Sequence, residues 1–124
     1  MIKIPDNRSL YEKNWQTMSG LQMSPVVAKS AYELISTLPR GYVLDIGCGD
    51  GTNSLVLQSM GFRVSSCDIS KNAVKKTKQK GLSVRQVDLN NLPLPYSSKS
   101  FDIVWLSDVI EHILSPEGLI SEIH

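Results

Sequence analysis

No run of about 18 apolar residues occurs in the chain, so it offers no helix long enough to cross a bilayer. The amino-terminal stretch "MIKIPDNRSLYEKNW" lacks the long apolar core of a secretory signal. Cysteine and histidine are scarce: Cys48, Cys67, His112 and His124 match no metal-site spacing, and no metal is expected. Two such thiols read as reduced and partly buried, which points to a cytoplasmic protein. Charge of one sign is also lacking. The formal net charge is +1, so no overall field draws the chain toward nucleic acid or an acidic surface. Repeats and low-complexity segments are absent. The 124 residues, 41% hydrophobic and 20% charged, suffice for one domain with a modest core.

Residues 1–23 are mixed and polar, with a short helix expected after Ser9. Tyr11 and Trp15 lie four apart there and suit either a lid over a neighbouring site or helix packing. The core unit is expected over 24–124. Ser24 is a cap, Pro25 fits the first helical position, and Val26, Val27, Ala31, Leu34, Ile35 and Leu38 recur at helical spacing. Pro39 and Gly41 end that helix. Then come a strand "YVLDI", a helix "TNSLVLQSMG", a strand "RVSSCDI" and a helix "SKNAVKKTKQKG" capped by Ser70 and stopped by Gly81. A strand "SVRQVDL", a loop "NNLPLPYSSKS", a strand "FDIVWLSD", a helical turn "VIEHI" and a helix capped by Ser115 complete the series. Strands alternating with helices predict an α/β fold whose parallel sheet is covered on both faces, with ligands at the strands' C-terminal ends. The odd polar residues gather there. Four successive strands end in an acid: Asp45, Asp68, Asp88 and Asp108, the last preceded by Ser107.

The stretch "VLDIGCGDGTNS" holds three alternating glycines, Gly47, Gly49 and Gly51, around Cys48 and Asp50. Glycine permits tight turns and close approach of backbone to a ligand. A plain strand-to-helix turn would account for the pattern without any ligand. A dinucleotide site would need G-x-G-x-x-G facing a pyrophosphate, whereas the spacing here is G-x-G-x-G. Asp45 and Asp50 would repel a pyrophosphate, by about 4 kcal/mol for unit charges 4 Å apart at an effective dielectric near 20. No lysine or arginine within the loop compensates. Acidic strand ends instead suit a ligand with positive charge and hydrogen-bond donors, because carboxylates only accept. S-adenosylmethionine has that chemistry in its ammonium, sulfonium, ribose diol and adenine amine. Asp68 is placed for the diol and Asp88 for the amine.

These stretches resemble the class I, Rossmann-like S-adenosylmethionine-dependent methyltransferases. "VLDIGCGDGTNS" resembles that family's first motif and "VSSCDIS" its second. "VRQVDLNNLPLPYSSKSFDIVWLSDVIEHI" resembles its third and fourth together, most like the ubiquinone/menaquinone-biosynthesis type. The resemblance runs from about Ser24 to His124. It implies a three-layer sandwich in which Gly47, Cys48, Gly49 and Gly51 line the methionine part of the cofactor. It implies that Asp45 helps hold the ammonium, Asp68 binds the ribose hydroxyls and Ile69 packs on the adenine. Asp88 and the Leu89 backbone would meet the adenine, and Leu106 or Ser107 would offer a carbonyl to the ammonium. A small-molecule methyl acceptor is the implied partner; nucleic acid is not.

His112 is a weak candidate for a general base toward the acceptor, against a packed or cofactor-side role. Asp108 and Glu111 read as acceptor-binding acids or as acids favoured at a helix start. Trp105 reads as core. Lys71, Lys75, Lys76, Lys78 and Lys80 read as a solvated face, without the interleaved aromatics of a nucleic-acid surface. The family's sheet has seven strands, ordered 3-2-1-4-5-7-6. Only strands ordered 3-2-1-4 are expected here, with "FDIVWL" as an apolar edge open to self-association or to a completing partner. Two function classes follow: the cofactor portion of a methyltransferase, or a non-catalytic module that binds S-adenosylmethionine or S-adenosylhomocysteine.

Overall fold

A computed structural model describes residues 25–107 and 109–124. The Ser9 helix, Tyr11, Trp15, Ser24 and Asp108 lie outside those residues. Helix α1 (Pro25–Ser36) leads to β1 (Tyr42–Ile46), α2 (Thr52–Ser59), β2 (Arg63–Asp68), α3 (Lys71–Gln79) and β3 (Ser83–Gln86). After a long loop come β4 (Ile103–Leu106), a 3-10 turn (Ile110–His112) and α4 (Pro116–Ile123). The strands form one parallel sheet in the order β3-β2-β1-β4, as the family resemblance implied. Among the described residues β4 pairs only with β1.

Side-chain alternation along a strand explains the layers. On one face of β1, Val43 joins Ile35 of α1, Leu57 of α2, Phe62 and Trp105 of β4. On the other, Leu44 and Ile46 join Cys67, Val87, Leu94, Val109 and Leu119 of α4. Helices thus cover both faces, and β4 (Ile103–Leu106) is apolar on both sides while β2 and β3 carry polar residues as well. The result is a Rossmann-like three-layer sandwich.

Local signals in the sequence set some element ends and not others. Ser70 caps α3 as expected, its hydroxyl accepting from Ala73 N at 3.2 Å. Gly61 and Gly81 end α2 and α3 in left-handed conformations. Ser115 precedes α4 but makes no side-chain cap bond, so Pro116 at the first turn is the local start signal. Leu34 and Leu38 are exposed, at 70% and 40%. Only part of the helical apolar stripe of α1 reaches the sheet among the described residues, through Ile35 and Ala31.

Candidate cofactor site

The parallel register brings the C-terminal ends of β1, β2 and β4 side by side, with Asp45 opposite Ser66 and Trp105, and Ile46 opposite Cys67 and Leu106. The glycine loop leaves β1 at this edge. Gly47 N and Cys48 N both donate to Cys67 O, at 2.9 and 3.0 Å, which ties the loop to the end of β2. Gly49 N donates to Asp68 Oδ2 at 2.9 Å, and Ser70 N donates to Asp68 Oδ1 at 3.0 Å. The predicted ribose acid and the predicted methionine loop are therefore one hydrogen-bonded unit. Val87 N closes on Asp68 O at 2.9 Å and brings in the end of β3.

Two of the glycines are demanded by their surroundings. Gly47 has φ +71°, and an added Cβ would overlap the Val109 side chain just after β4. Gly51 has φ +86°, and its added Cβ would lie 3.1 Å from Thr77 and Leu82 of the neighbouring layer. A Gly47→Ala variant should lose about 2–4 kcal/mol of unfolding free energy, from the left-handed backbone together with the overlap. Urea unfolding measures this, and a loss below about 1 kcal/mol would refute the close-packing argument.

Asp45 is buried, 1% exposed, on the α1/α2 face of the sheet. Its Oδ2 accepts from Ser54 Oγ at 2.5 Å, and Ser54 Oγ lies 2.7 Å from Ser66 Oγ. Among the described residues its Oδ1 has no hydrogen-bond partner, nor has the buried Trp105 Nε1 of the registered strand partner. Burial pushes the Asp45 carboxyl up to about 7; the Ser54 bond opposes this and the nearby Asp68 adds to it. Beside it, Tyr32 of α1 stacks on Trp105 and hydrogen-bonds Asn53 of α2.

Asp50 contradicts the reading of the loop as uncompensated negative charge. Lys80, just past α3, donates to Asp50 O at 2.6 Å and lies 3.7 Å from Asp50 Oδ2. Thr52 N and Thr52 Oγ1 donate to Asp50 Oδ1 at 3.0 and 2.7 Å. Partial burial raises the Asp50 carboxyl, but these bonds and Lys80 outweigh it and leave the group below its ordinary range. The partner lies thirty residues away in sequence, beyond the reach of a loop-local charge count. Geometry now supplies the stronger argument against a pyrophosphate. The N–H groups of Gly47, Cys48, Gly49, Gly51 and Thr52 are all bonded within the protein, so the backbone donors that a phosphate cradle needs are already used.

The remaining predicted residues also lie along this edge. Cys48 is buried with Val74 and Val84 of the α3 side, its thiol raised by burial and by Asp68. Cys67 is buried on the opposite face of the sheet, pushed up to about 12 chiefly by burial. Both are free and inert thiols. Ile69 is half-buried, its carbonyl accepting from Gln86 Nε2 at 2.9 Å. Asp88 is half-buried, and its Oδ1 accepts from Asn90 N at 2.9 Å in a local turn. Leu89 and Leu106 pack against the core on the α4 side, and Ser107 is half-buried just beyond β4. His112 is exposed on the 3-10 turn, while Trp105 is core as expected.

Several contributors carried no motif: Ser54 and Ser66 under Asp45, and Thr77 and Lys80 behind the loop. The polar pair "SS" in an otherwise buried strand is the one local signal, since buried hydroxyls require partners.

A model of the methyltransferase domain matches residues 44–124. The chain is 32% identical over 99 residues to malonyl-[acyl-carrier protein] O-methyltransferase of Herminiimonas arsenicoxydans, covering 78% of this chain and 36% of that one. It is 28% identical over 104 residues to ubiquinone biosynthesis O-methyltransferase of Nitrosomonas europaea, covering 80% and 44%. The chain thus spans less than half the length of these relatives. Among solved structures, an S-adenosylmethionine-dependent methyltransferase from Mesorhizobium loti superposes with a TM-score of 0.65 at 25% identity, covering 75% of this chain and 45% of that one. Magnesium protoporphyrin IX methyltransferase from Synechocystis PCC 6803, with bound S-adenosylhomocysteine, shares the fold with a TM-score of 0.68 at 23% identity, covering 93% and 64%. The chain belongs to the methyltransferase-domain family and has the fold of the class I S-adenosylmethionine-dependent methyltransferases.

Proposed function

We propose that this chain forms the S-adenosylmethionine-binding portion of a methyltransferase acting on a small molecule. The observation that carries the reading is the bond from Gly49 N to Asp68 Oδ2, which joins the glycine loop and the β2 acid into one site at the sheet's C-terminal edge. The donor set suits the ligand: carboxylates at Asp45, Asp68 and Asp88 face groups that donate, and the loop's own donors are largely used internally. When bound, S-adenosylmethionine supplies a sulfonium methyl group for in-line displacement by the acceptor.

The chain's own residues bind and orient. Asp68 accepts from the ribose hydroxyls while bracing Gly49 and Ser70. Asp45 Oδ1, buried and unpartnered among the described residues, accepts from the ammonium directly or through water. Asp88 accepts from the adenine amine, with Leu89 beside the ring and Ile69 against its face. The backbone of Leu106 or Ser107 offers a second acceptor to the ammonium, and Gly47, Cys48, Gly49 and Gly51 line the methionine arm. Such positioning supplies much of the acceleration in a displacement of this kind. His112, on its exposed turn, is the proton acceptor we assign if the acceptor atom must lose a proton during transfer.

Both relatives, the malonyl-[acyl-carrier protein] and the ubiquinone biosynthesis enzyme, are O-methyltransferases. An oxygen acceptor on a small molecule is therefore the class we assign. No described helix is long and apolar enough to cross a membrane, and the two free thiols fit a reducing cytoplasm. The family match favours methyl transfer over a binding-only role.

Calorimetric titration with S-adenosylhomocysteine, with NAD as control, tests the reading. Saturable binding of S-adenosylhomocysteine without NAD binding is expected. A folded chain that prefers NAD, or that binds neither, would sink it. Sedimentation of the same sample reads whether the open edge of β4 also pairs two copies of the chain; a monomer at all concentrations removes that part of the proposal.

A further inference from the structure

Helix α3 looks from its sequence like a solvated lysine face, yet its inner side grips the glycine loop. Thr77 is fully buried in the last turn of that helix. Its Oγ1 donates to Gly49 O at 2.9 Å, 28 residues back in the chain, and lies 3.6 Å from Cys48 Sγ. A helical threonine ordinarily returns its hydroxyl to a carbonyl of its own preceding turn. Here it reaches across to another element. One turn later Lys80 donates to Asp50 O and pairs with the Asp50 carboxylate. Gly51 packs so closely on Thr77 that an added Cβ would lie 3.1 Å from its Cγ2 and Oγ1. Four consecutive loop residues, Cys48 to Gly51, thus meet α3 through Thr77 or Lys80.

The start of the same helix holds the other half of the site. Ser70 caps α3 and donates its backbone N–H to Asp68 Oδ1. A single rigid helix therefore carries the contacts that locate both the loop, through Thr77 and Lys80, and the acid, through Ser70. We propose that Thr77, with Lys80 in support, is a positioning residue that sets the glycine loop against Asp68 for adenosyl-ligand binding. The inference rests on the proposed cofactor site, but the loop contact it invokes is one the protein makes with itself.

The test compares Thr77→Val, which keeps shape and removes the hydroxyl, with Thr77→Ser, which keeps the hydroxyl. Thr77→Val removes the hydroxyl donor of the Gly49 carbonyl and leaves it only the weak Cys48 thiol contact at 3.7 Å. It should weaken S-adenosylhomocysteine binding by about tenfold, while Thr77→Ser stays within about threefold of the parent chain. Phe62→Leu, a core change on the α2 side away from the loop, serves as the stability control. At a matched fall in melting temperature it should leave the binding constant unchanged.

Amide hydrogen exchange without ligand provides a second readout. Gly49 to Thr52 should exchange faster in Thr77→Val than in the parent and be restored in Thr77→Ser, with the body of the sheet unaffected. If Thr77→Val fails to fold, Lys80→Gln takes its place. Its side chain is one-third exposed, and it should show the same loop-limited acceleration in smaller degree. Unchanged loop exchange together with unchanged affinity in a folded variant overturns the inference. Acceleration spread evenly over the sheet also overturns it, by showing a structural role alone. A parent chain that binds no S-adenosylhomocysteine defeats the proposed function instead, and the exchange pattern still decides the role of Thr77.

Discussion

Replacing Asp68 by alanine is expected to weaken S-adenosylhomocysteine binding by about 100-fold or more. Hydrogen bonds to an ionised carboxylate contribute about 1.5–3 kcal/mol each. Two ribose hydroxyls would therefore contribute about 3 kcal/mol at the low end, and each 1.4 kcal/mol is a factor of ten. The same substitution releases Gly49 N and Ser70 N from the Asp68 carboxylate, which loosens the loop as well. Calorimetry on the variant separates the two effects when repeated with a ligand lacking the ribose hydroxyls. The parent should lose most of its affinity for that ligand, while the alanine variant should discriminate little between the two. Equal losses for both ligands would mean that Asp68 acts only through the loop. An alanine variant that is folded and binds within threefold of the parent would remove Asp68 from the site.

Asp45 should make the fold less stable as pH rises from about 4 to about 7. Its carboxyl lies near 3.8 in an unfolded chain and is pushed up to about 7 in the folded one, chiefly by burial. Between those values the folded state holds more proton than the unfolded state. Unfolding then releases a proton, and stability falls with rising pH until it levels off above 7. A displacement of that size corresponds to roughly 4 kcal/mol, at about 1.4 kcal/mol per unit. The difference between the parent and Asp45→Asn isolates this contribution from the other carboxylates.

The asparagine variant keeps an oxygen for Ser54 and carries no charge to bury. It should be the more stable of the two at pH 8 and lose the advantage near pH 4. If Asp45 also holds the cofactor's ammonium, the same variant should bind S-adenosylhomocysteine more weakly at pH 8. Stability and function would then move in opposite directions, as expected where a site retains an unfavourable buried charge. Urea unfolding across pH reads the first effect and calorimetry the second. Parallel pH profiles for parent and variant would show that Asp45 ionises as an ordinary surface acid.

The fold was legible in the sequence because its signals are local and periodic. Apolar runs at β1 and β4, helical spacing in α1, the Ser70 cap and the stops at Gly61 and Gly81 each act within a few residues of themselves. Their alternation leaves few chain paths, since parallel crossovers have one favoured hand. The glycine spacing and the acids at strand ends were legible for the same reason. The sequence failed where the partner is remote. Leu34 and Leu38 match a helical stripe but are exposed among the described residues, because periodicity identifies a face without saying what covers it. Ser115 has the composition of a cap without its bond.

By itself, then, the sequence determined a parallel α/β sheet with a glycine loop and carboxylates at one edge, and the family resemblance implied the order β3-β2-β1-β4 that the structure has. Only the tertiary structure decided how those groups are charged and braced. It set Lys80 against Asp50, which compensated that carboxylate's negative charge. It buried Asp45 with Ser54 and Ser66, which raised its carboxyl toward neutrality. It turned Thr77 inward onto Gly49 from a helix that composition marks as solvated. The physical reason is common to all three. Charge and hydrogen-bonding state depend on distance and burial in space, and residues nine to thirty positions apart become neighbours only when the layers close.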